Sequence, residues 1–180
     1  FMLGAATLLA ATAAAPGALD NALVWWLVAI AAATAGFLVF NWPPAKIFMG
    51  DAGSTWLGYM IVFAALVTVA NGWLTAWQWP ILGAMFLADA SITLLRRLAR
   101  LEPIFSAHRL HAYQHLSRRW GNHRPVTLLY LAVNLVLLLP LAWWSGAYPA
   151  FAGLAVVLAY LPVVAGLVWA GAGARERGAT

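Results

Sequence analysis

The chain alternates between long apolar runs and short polar connections. Apolar runs occupy residues 1–15, 22–40, 55–70, 77–95, 125–144 and 150–170, the third extending through Trp73. Most of them approach the ~20 residues that a helix needs to cross a bilayer. An open strand cannot satisfy its backbone in lipid, so the runs are predicted to be helices. The pattern predicts an all-α, multi-pass transmembrane helical bundle of about six helices, with residues 1–180 forming a single membrane domain. Pro16-Gly17 closes the first run and Asp20 follows in a short turn. Asn71-Gly72 makes another turn. Pro80 lies near the start of its run, where a helix tolerates it, and Pro140 and Pro162 are predicted to kink the last two helices. Alanine-rich segments at 5–15 and 29–35 permit close helix packing. No internal repeat is visible.

The first run rises only about 22 Å at ~1.5 Å per residue, short of the roughly 30 Å hydrocarbon core. It has no basic segment ahead of it, which argues against a signal peptide. The chain begins with Phe1, and the expectation is that it is the later part of a longer protein, cut inside or just before a span.

Charge orders the runs. Lys46 lies in the connection 41–54, seven arginines from Arg96 to Arg124 lie in the connection 96–124, and Arg175 and Arg177 lie in the tail, which accounts for all 10 basic residues. If each run crosses once, all three segments share one face, and the excess of Lys and Arg makes that face cytoplasmic. Trp25, Trp26, Trp73, Trp77, Trp79, Trp143 and Trp144 fall near the opposite face, as an aromatic belt does. Trp42, Trp56, Trp120, Trp169 and Tyr148 also read as interface anchors.

Composition confirms the class. Hydrophobic residues make up 64% of the chain and charged residues 8%, against about 45–50% and about 25% in soluble domains. The formal charge of +5 is confined to loops, where it sets orientation, so nucleic acid is not an expected partner. With no cysteine, disulfide frameworks and cysteine-based metal or nucleophilic chemistry are excluded.

Three polar features interrupt the apolar pattern. The first is Asp51, between Gly50 and Gly53 at the start of the third run. Two readings stand: a helix cap assisted by Ser54, or a Mg²⁺ ligand at a helix N-terminus that also suits phosphate. In the same loop Asn41 offers a phosphate contact, a loop-orienting bond or a plain helix C-terminus, and Lys46 offers a diphosphate contact or a lipid-facing anchor. The second feature is Asp89, inside the fourth run and six residues before Arg96, roughly 9 Å below the basic face at 1.5 Å per residue. An ionisable group inside a span is a functional candidate; the alternative is a structural ion pair with a loop arginine. The third is His108, Arg109, His111 and His115 in the connection 96–124. On a helix the three histidines share one face. Zinc, anion recognition by His and Arg donors, and a solvated or lipid-binding loop are the alternatives. Arg118, Arg119, His123 and Arg124 extend the loop, toward lipid headgroups or substrate.

The stretch from Gly36 through Asn41, Lys46, Gly50, Asp51 and Gly53 to Ser54, with Pro103-Ile104-Phe105-Ser106 and the His-Leu pair at His115-Leu116, resembles the polyprenyl-phosphate N-acetylhexosamine-1-phosphate transferases. These include the phospho-N-acetylmuramoyl-pentapeptide transferase superfamily. The likeness extends in order over nearly the whole chain, through the acid at Asp89, the histidine loop and two closing helices. Tyr113-Gln114 departs from the adjacent histidines common in that family, and the segment from His111 to His115 looks closest to the branch that initiates O-antigen-type polysaccharides. The resemblance implies a Mg²⁺-dependent enzyme, with Mn²⁺ as the alternative ion. It implies transfer of an N-acetylhexosamine 1-phosphate from a UDP-sugar to undecaprenyl phosphate at the cytoplasmic face of a bacterial inner membrane, with UMP released. It implies Asp51 as metal ligand and catalytic residue and Asp89 as a supporting acid. Asn41, Lys46, Arg109, His111 and His115 become substrate-binding residues. The family's paired aspartates and its Asn- and Asp-Gly-containing motif are not among these residues, so the chain alone is expected to be inactive. A homodimer is compatible with the sequence, which does not set oligomeric state or the sugar. The rival reading is a non-enzymatic membrane scaffold or transport subunit whose basic loop grips lipid.

Overall fold

A computed structural model describes residues 1–13, 22–103 and 109–174. Asp20, residues 104–108 with Ser106 and His108, and Arg175, Glu176 and Arg177 lie outside the described residues. The described chain is helical and, among those residues, has no strand. Helix α1 is Met2–Ala13, α2 Ala22–Asn41, α3 Gly50–Ala70, α4 Gln78–Leu82 and α5 Ala84–Ala99. The histidine connection carries α6, Ala112–Trp120. Then follow α7 (His123–Val133), a π turn (Asn134–Leu138), α8 (Leu139–Ala147), a 3₁₀ turn (Pro149–Phe151) and α9 (Ala152–Ala170).

Four stretches are long and apolar enough to cross a membrane: Ala22–Asn41, Gly50–Ala70, His123–Ala147 and Pro149–Ala170. That count rests on length and composition; the first and fourth runs are helical too, as expected, in shorter pieces. The described part of the first run is the helix Met2–Ala13. The fourth divides at Gly83, between Pro80 and the polar half that holds Asp89, Arg96 and Arg97. The division is shallow, since Gly83 N donates to Trp79 O and Leu87 N to Gly83 O, both at 2.9 Å. At the joint the Pro80 carbonyl accepts the Tyr160 hydroxyl at 3.0 Å, which satisfies a half-buried acceptor. Pro140 enters α8 directly after the π turn, while Pro162 stands within α9.

The core is built on small residues. Ala6, Ala10, Ala64, Ala84, Ala142, Ala155 and Ala159 are fully buried, so helix backbones approach closely. α1 packs on α2, α3 and α4; α9 packs on α5, α6 and α8; α4 also meets α8. Phe86, Val136 and Leu161 are exposed, as lipid-facing side chains are. Trp79 leaves the predicted aromatic belt: it is buried, and its indole N–H donates to Thr68 Oγ1 at 3.0 Å. A polar partner inside the bundle outweighs the interface for this ring. Trp25, Trp77 and Trp143 remain exposed.

A further polar staple was not evident from the sequence. Gln78 is buried; its Oε1 accepts from Thr75 N at 2.7 Å and its Nε2 donates to Ala142 O at 3.0 Å. This fastens α4 to α8.

Candidate functional site

The loop after α2 folds on itself. Asn41 Nδ2 donates to Ile47 O at 2.8 Å and Lys46 N to Phe40 O at 2.9 Å. Asn41 is therefore both the last residue of α2 and the residue that orients the loop. Lys46 is exposed. Gly50, at φ +67°, turns the chain into α3, a conformation that a side chain would strain. The capping reading is corrected here: Met49 occupies the cap position and makes no side-chain cap bond. Ser54 Oγ instead donates to the Asp51 backbone carbonyl at 3.1 Å. The Asp51 carboxylate is exposed and, among the described residues, has no hydrogen-bond or ion-pair partner.

Asp89 is buried at 5% exposure. Its Oδ1 accepts from Ala112 N at 3.0 Å and from Thr93 Oγ1 at 3.4 Å. Its Oδ2 lies 3.6 Å from His111 Nδ1, an ion-pair distance rather than a hydrogen bond. The expected arginine alternative is thereby corrected. Arg97 pairs with Glu102 at 3.6 Å and Arg100 with Glu102 at 3.0 Å. Arg97 is itself buried and also donates to the Pro103 carbonyl. Arginine suits such neutral acceptors because its fork of donors is always charged.

His111 and His115 do not share one helical face. α6 begins only at Ala112, and His111 stands ahead of it with extended backbone. His111 N donates to Gln114 Oε1 at 3.2 Å, half of a capping box that stops the helix from extending backward. Gln114, part of the departure from the family pattern, thus has a structural reason. The His111 ring stacks on Tyr113 with centroids 6.0 Å apart. Burial pushes the Tyr113 phenol above its ordinary range and the Asp89 charge adds to this, while the hydrogen bond from Gln114 opposes it.

His115 faces elsewhere. Arg118 Nη2 lies 3.2 Å from its Nδ1 and 3.1 Å from the Arg109 carbonyl. A guanidinium can only donate, so His115 Nδ1 is the acceptor. That nitrogen is then closed to a metal, and among the described residues no three His, Asp or Glu side chains form a metal-holding group. Arg109 is exposed. Arg119 does not reach only toward headgroups: its guanidinium sits 5.3 Å from the Trp169 ring centroid.

The structure joins the polar segments at one end of the bundle. Arg124 Nε donates to Pro43 O at 2.7 Å, linking the Asp51 loop to the end of the histidine connection. Asp89 and His111 meet directly. Among the described residues, Asp51 makes no hydrogen bond or ion pair with them. Beside this end, α5, α6, α7 and α9 enclose an almost wholly apolar groove of about 230 Å³, lined by Met85, Leu116, Tyr130, Val133, Pro162 and Leu167 among others. The buried Tyr130 hydroxyl finds no partner among the described residues. Tyr130, Thr93, Gln114 and the tethering role of Arg124 were not evident from the sequence. A phenol inside an otherwise apolar run was the one available signal for Tyr130.

For Mg²⁺, the donor chemistry fits in part. Mg²⁺ is commonly held by one or two carboxylates with phosphate oxygens and waters completing the shell. Asp51 offers one accessible, unpartnered carboxylate of that kind.

Comparison with known proteins bears on this site. Residues 1–69 match the sequence profile of glycosyl transferase family 4. A Bacillus subtilis (strain 168) protein described as probable undecaprenyl-phosphate N-acetylglucosaminyl 1-phosphate transferase is 31% identical over 148 residues, 77% of this chain and 41% of the relative. The phospho-N-acetylmuramoyl-pentapeptide-transferase of Moorella thermoacetica is 36% identical over 91 residues, 46% of this chain and 27% of the relative. The enzyme of the same name from Bacillus pumilus is 36% identical over 115 residues, 62% of this chain and 34% of the relative. The chain therefore spans about two fifths or less of these curated relatives. No solved structure matches it significantly.

Proposed function

We propose, from the premise that this chain belongs through residues 1–69 to glycosyl transferase family 4, that it carries part of the active site of a membrane-embedded sugar-1-phosphate transferase. The donor is a nucleoside diphosphate sugar, read here as a UDP-N-acetylhexosamine, and the acceptor is a polyprenyl phosphate, read as undecaprenyl phosphate. The observation that carries the proposal is the meeting of Asp89 with the histidine connection at the end of the bundle where Arg124 anchors the Asp51 loop.

The chemistry asks for charge neutralisation more than for covalent help. The acceptor phosphate attacks the phosphorus next to the sugar, the bond to the departing UMP breaks, and both reactants are anionic. Asp89 is a positioning residue: it holds the N-terminus of α6 and turns His111 Nδ1 toward itself. That orients the imidazole for hydrogen bonding to a diphosphate, with Arg109 and Lys46 as exposed cations on the same basic segments. His115, accepting from Arg118 at Nδ1, is restricted to neutral or donor behaviour at its other nitrogen. Asp51 would hold Mg²⁺, which when bound supplies Lewis-acid stabilisation of phosphate charge. The apolar groove beside the site suits a polyprenyl chain. On the charge asymmetry, the site faces the cytoplasm of a bacterial inner membrane. The likeness of the His111–His115 segment supports reading the product as an intermediate of O-antigen-type polysaccharide synthesis.

The test is Asp51→Asn in the intact protein, purified in detergent and assayed for UMP release against a panel of UDP-sugars with and without Mg²⁺. The expected result is loss of Mg²⁺-dependent release with unchanged membrane insertion. Unchanged turnover would refute the ligand role. No turnover of any UDP-sugar by the unsubstituted protein would favour the scaffold or transport reading.

A further inference from the structure

Past α9 the backbone reverses twice. Gly171 has φ +97° and Gly173 φ +68°, so the helix ends in a left-handed residue and the chain bends back over α5. Three contacts close on this turn. Arg96 Nη1 donates to the Ala172 carbonyl, and Arg100 Nη2 to the Gly173 carbonyl at 2.8 Å. Gly173 N donates to Leu110 O at 2.6 Å. Leu110 immediately precedes His111. The turn also reaches His115, whose ring lies 3.6 Å from where a Cβ on Gly171 would stand.

We propose that the Gly171–Ala174 turn, clamped by Arg96 and Arg100, is a positioning element that sets the placement of both His111 and His115. The proposal rests on reading those histidines as diphosphate-binding groups. Asp89 holds the segment 111–112 from the α5 side, through His111 and Ala112 N. The turn holds residue 110 from the α9 side. Ala172 and Gly173 lie past the end of α9, so their carbonyls have no place in its ladder and the arginine donors satisfy them. Arg96 and Arg100 donate to the backbone of the turn, and Arg100 also pairs with Glu102, which makes both positioning residues in this proposal. Gly173 leaves little room for a side chain: an added Cβ would stand 3.0 Å from Thr93 Cα and 3.1 Å from Arg96 Cδ, at a positive φ. Thr93 is also a partner of Asp89, so a push there reaches the carboxylate.

The experiment uses the intact protein in detergent with Arg100→Ala, Arg100→Lys and Gly173→Ala. Diethyl pyrocarbonate labelling of His111 and His115 is followed by peptide mass spectrometry, with the exposed His123 as internal reference. KM is measured separately for the UDP-sugar and for the polyprenyl phosphate. In Arg100→Ala, labelling of His111 and His115 relative to His123 and the donor KM each rise on the order of tenfold, as loss of alignment at a reacting centre does. The acceptor KM stays within about twofold, and Arg100→Lys recovers most of both effects because it restores a donor. Unchanged labelling in Arg100→Ala and Gly173→Ala protein that keeps its melting temperature overturns the proposal. If Gly173→Ala does not fold, the Arg100 pair decides alone. Raised labelling with an unchanged donor KM supports the clamp and removes the histidines from donor recognition, so the two failures are distinguishable.

Discussion

Arg124 and Pro43 are 81 positions apart in sequence, yet the Arg124 Nε donates to the Pro43 carbonyl at 2.7 Å. The bond connects the loop ahead of Asp51 to the start of α7. Asn122 prepares it, since its side chain accepts from Arg124 N at 2.9 Å and caps that helix. Replacing Arg124 by Ala removes the tether without touching either loop's internal bonds. The expected outcome is faster proteolysis within residues 41–49 and a loss of transfer rate on the order of tenfold, with Arg124→Lys intermediate, since exposed charge-assisted bonds contribute about 1 kcal/mol. Timed proteolysis and UMP release check it.

Asp89 is an acceptor before it is an acid. Asp89→Ala leaves the buried Ala112 N–H without its partner, which costs about 1–3 kcal/mol. Asp89→Asn keeps an oxygen there and loses only the charge facing His111. The Ala variant is expected to melt clearly below the Asn variant. Both are expected to lose turnover, because both remove the anion that orients the imidazole. Thermal melts alongside donor KM separate the two effects.

Tyr113 gives a pH handle outside the membrane spans. Its phenol is held above the ordinary tyrosine range by burial first and by Asp89 second. A folded-state pKa raised above the unfolded one means that the folded protein keeps its proton longer. The stability it contributes is present below the ordinary tyrosine pKa and is lost as pH rises through the folded value. Melting temperature is therefore expected to fall as pH is raised from about 10. The Tyr113→Phe variant should show a shallower fall, and Asp89→Asn should ease the titration measured by phenolate absorbance.

Leu101 closes α5 in the left-handed region at φ 56°, almost fully exposed. Leu101 N bonds Leu98 O at 2.9 Å and Glu102 N bonds Arg97 O at 3.0 Å, a helix ending that glycine normally occupies. A branched side chain there costs roughly 1–2 kcal/mol. Leu101→Gly is expected to raise the melting temperature by a few degrees, ~1 kcal/mol after the entropy of glycine is counted. Calorimetry in one detergent decides it, and an unchanged or lowered melt counts against strain at this residue.

By itself the sequence determined the helices, their polar interruptions and the gathering of the basic residues into three segments. A bilayer makes these local properties: length, apolarity and loop charge suffice, because lipid leaves the backbone no other way to satisfy its donors. It also marked Asp51, Asp89, His111 and His115, since each breaks an apolar or uniform background. It did not show where the histidine helix begins, because Gln114 capping His111 depends on side-chain geometry within one turn. Nor did it show that Trp79 lies inside, that Asp89 meets His111 and Ala112 rather than an arginine, or that Arg100 grips Gly173, 73 positions away. Those pairings are made by helices packing on alanine-lined faces, and which polar groups such packing brings together is a property of the assembled bundle, with no trace in the periodicity of any one segment.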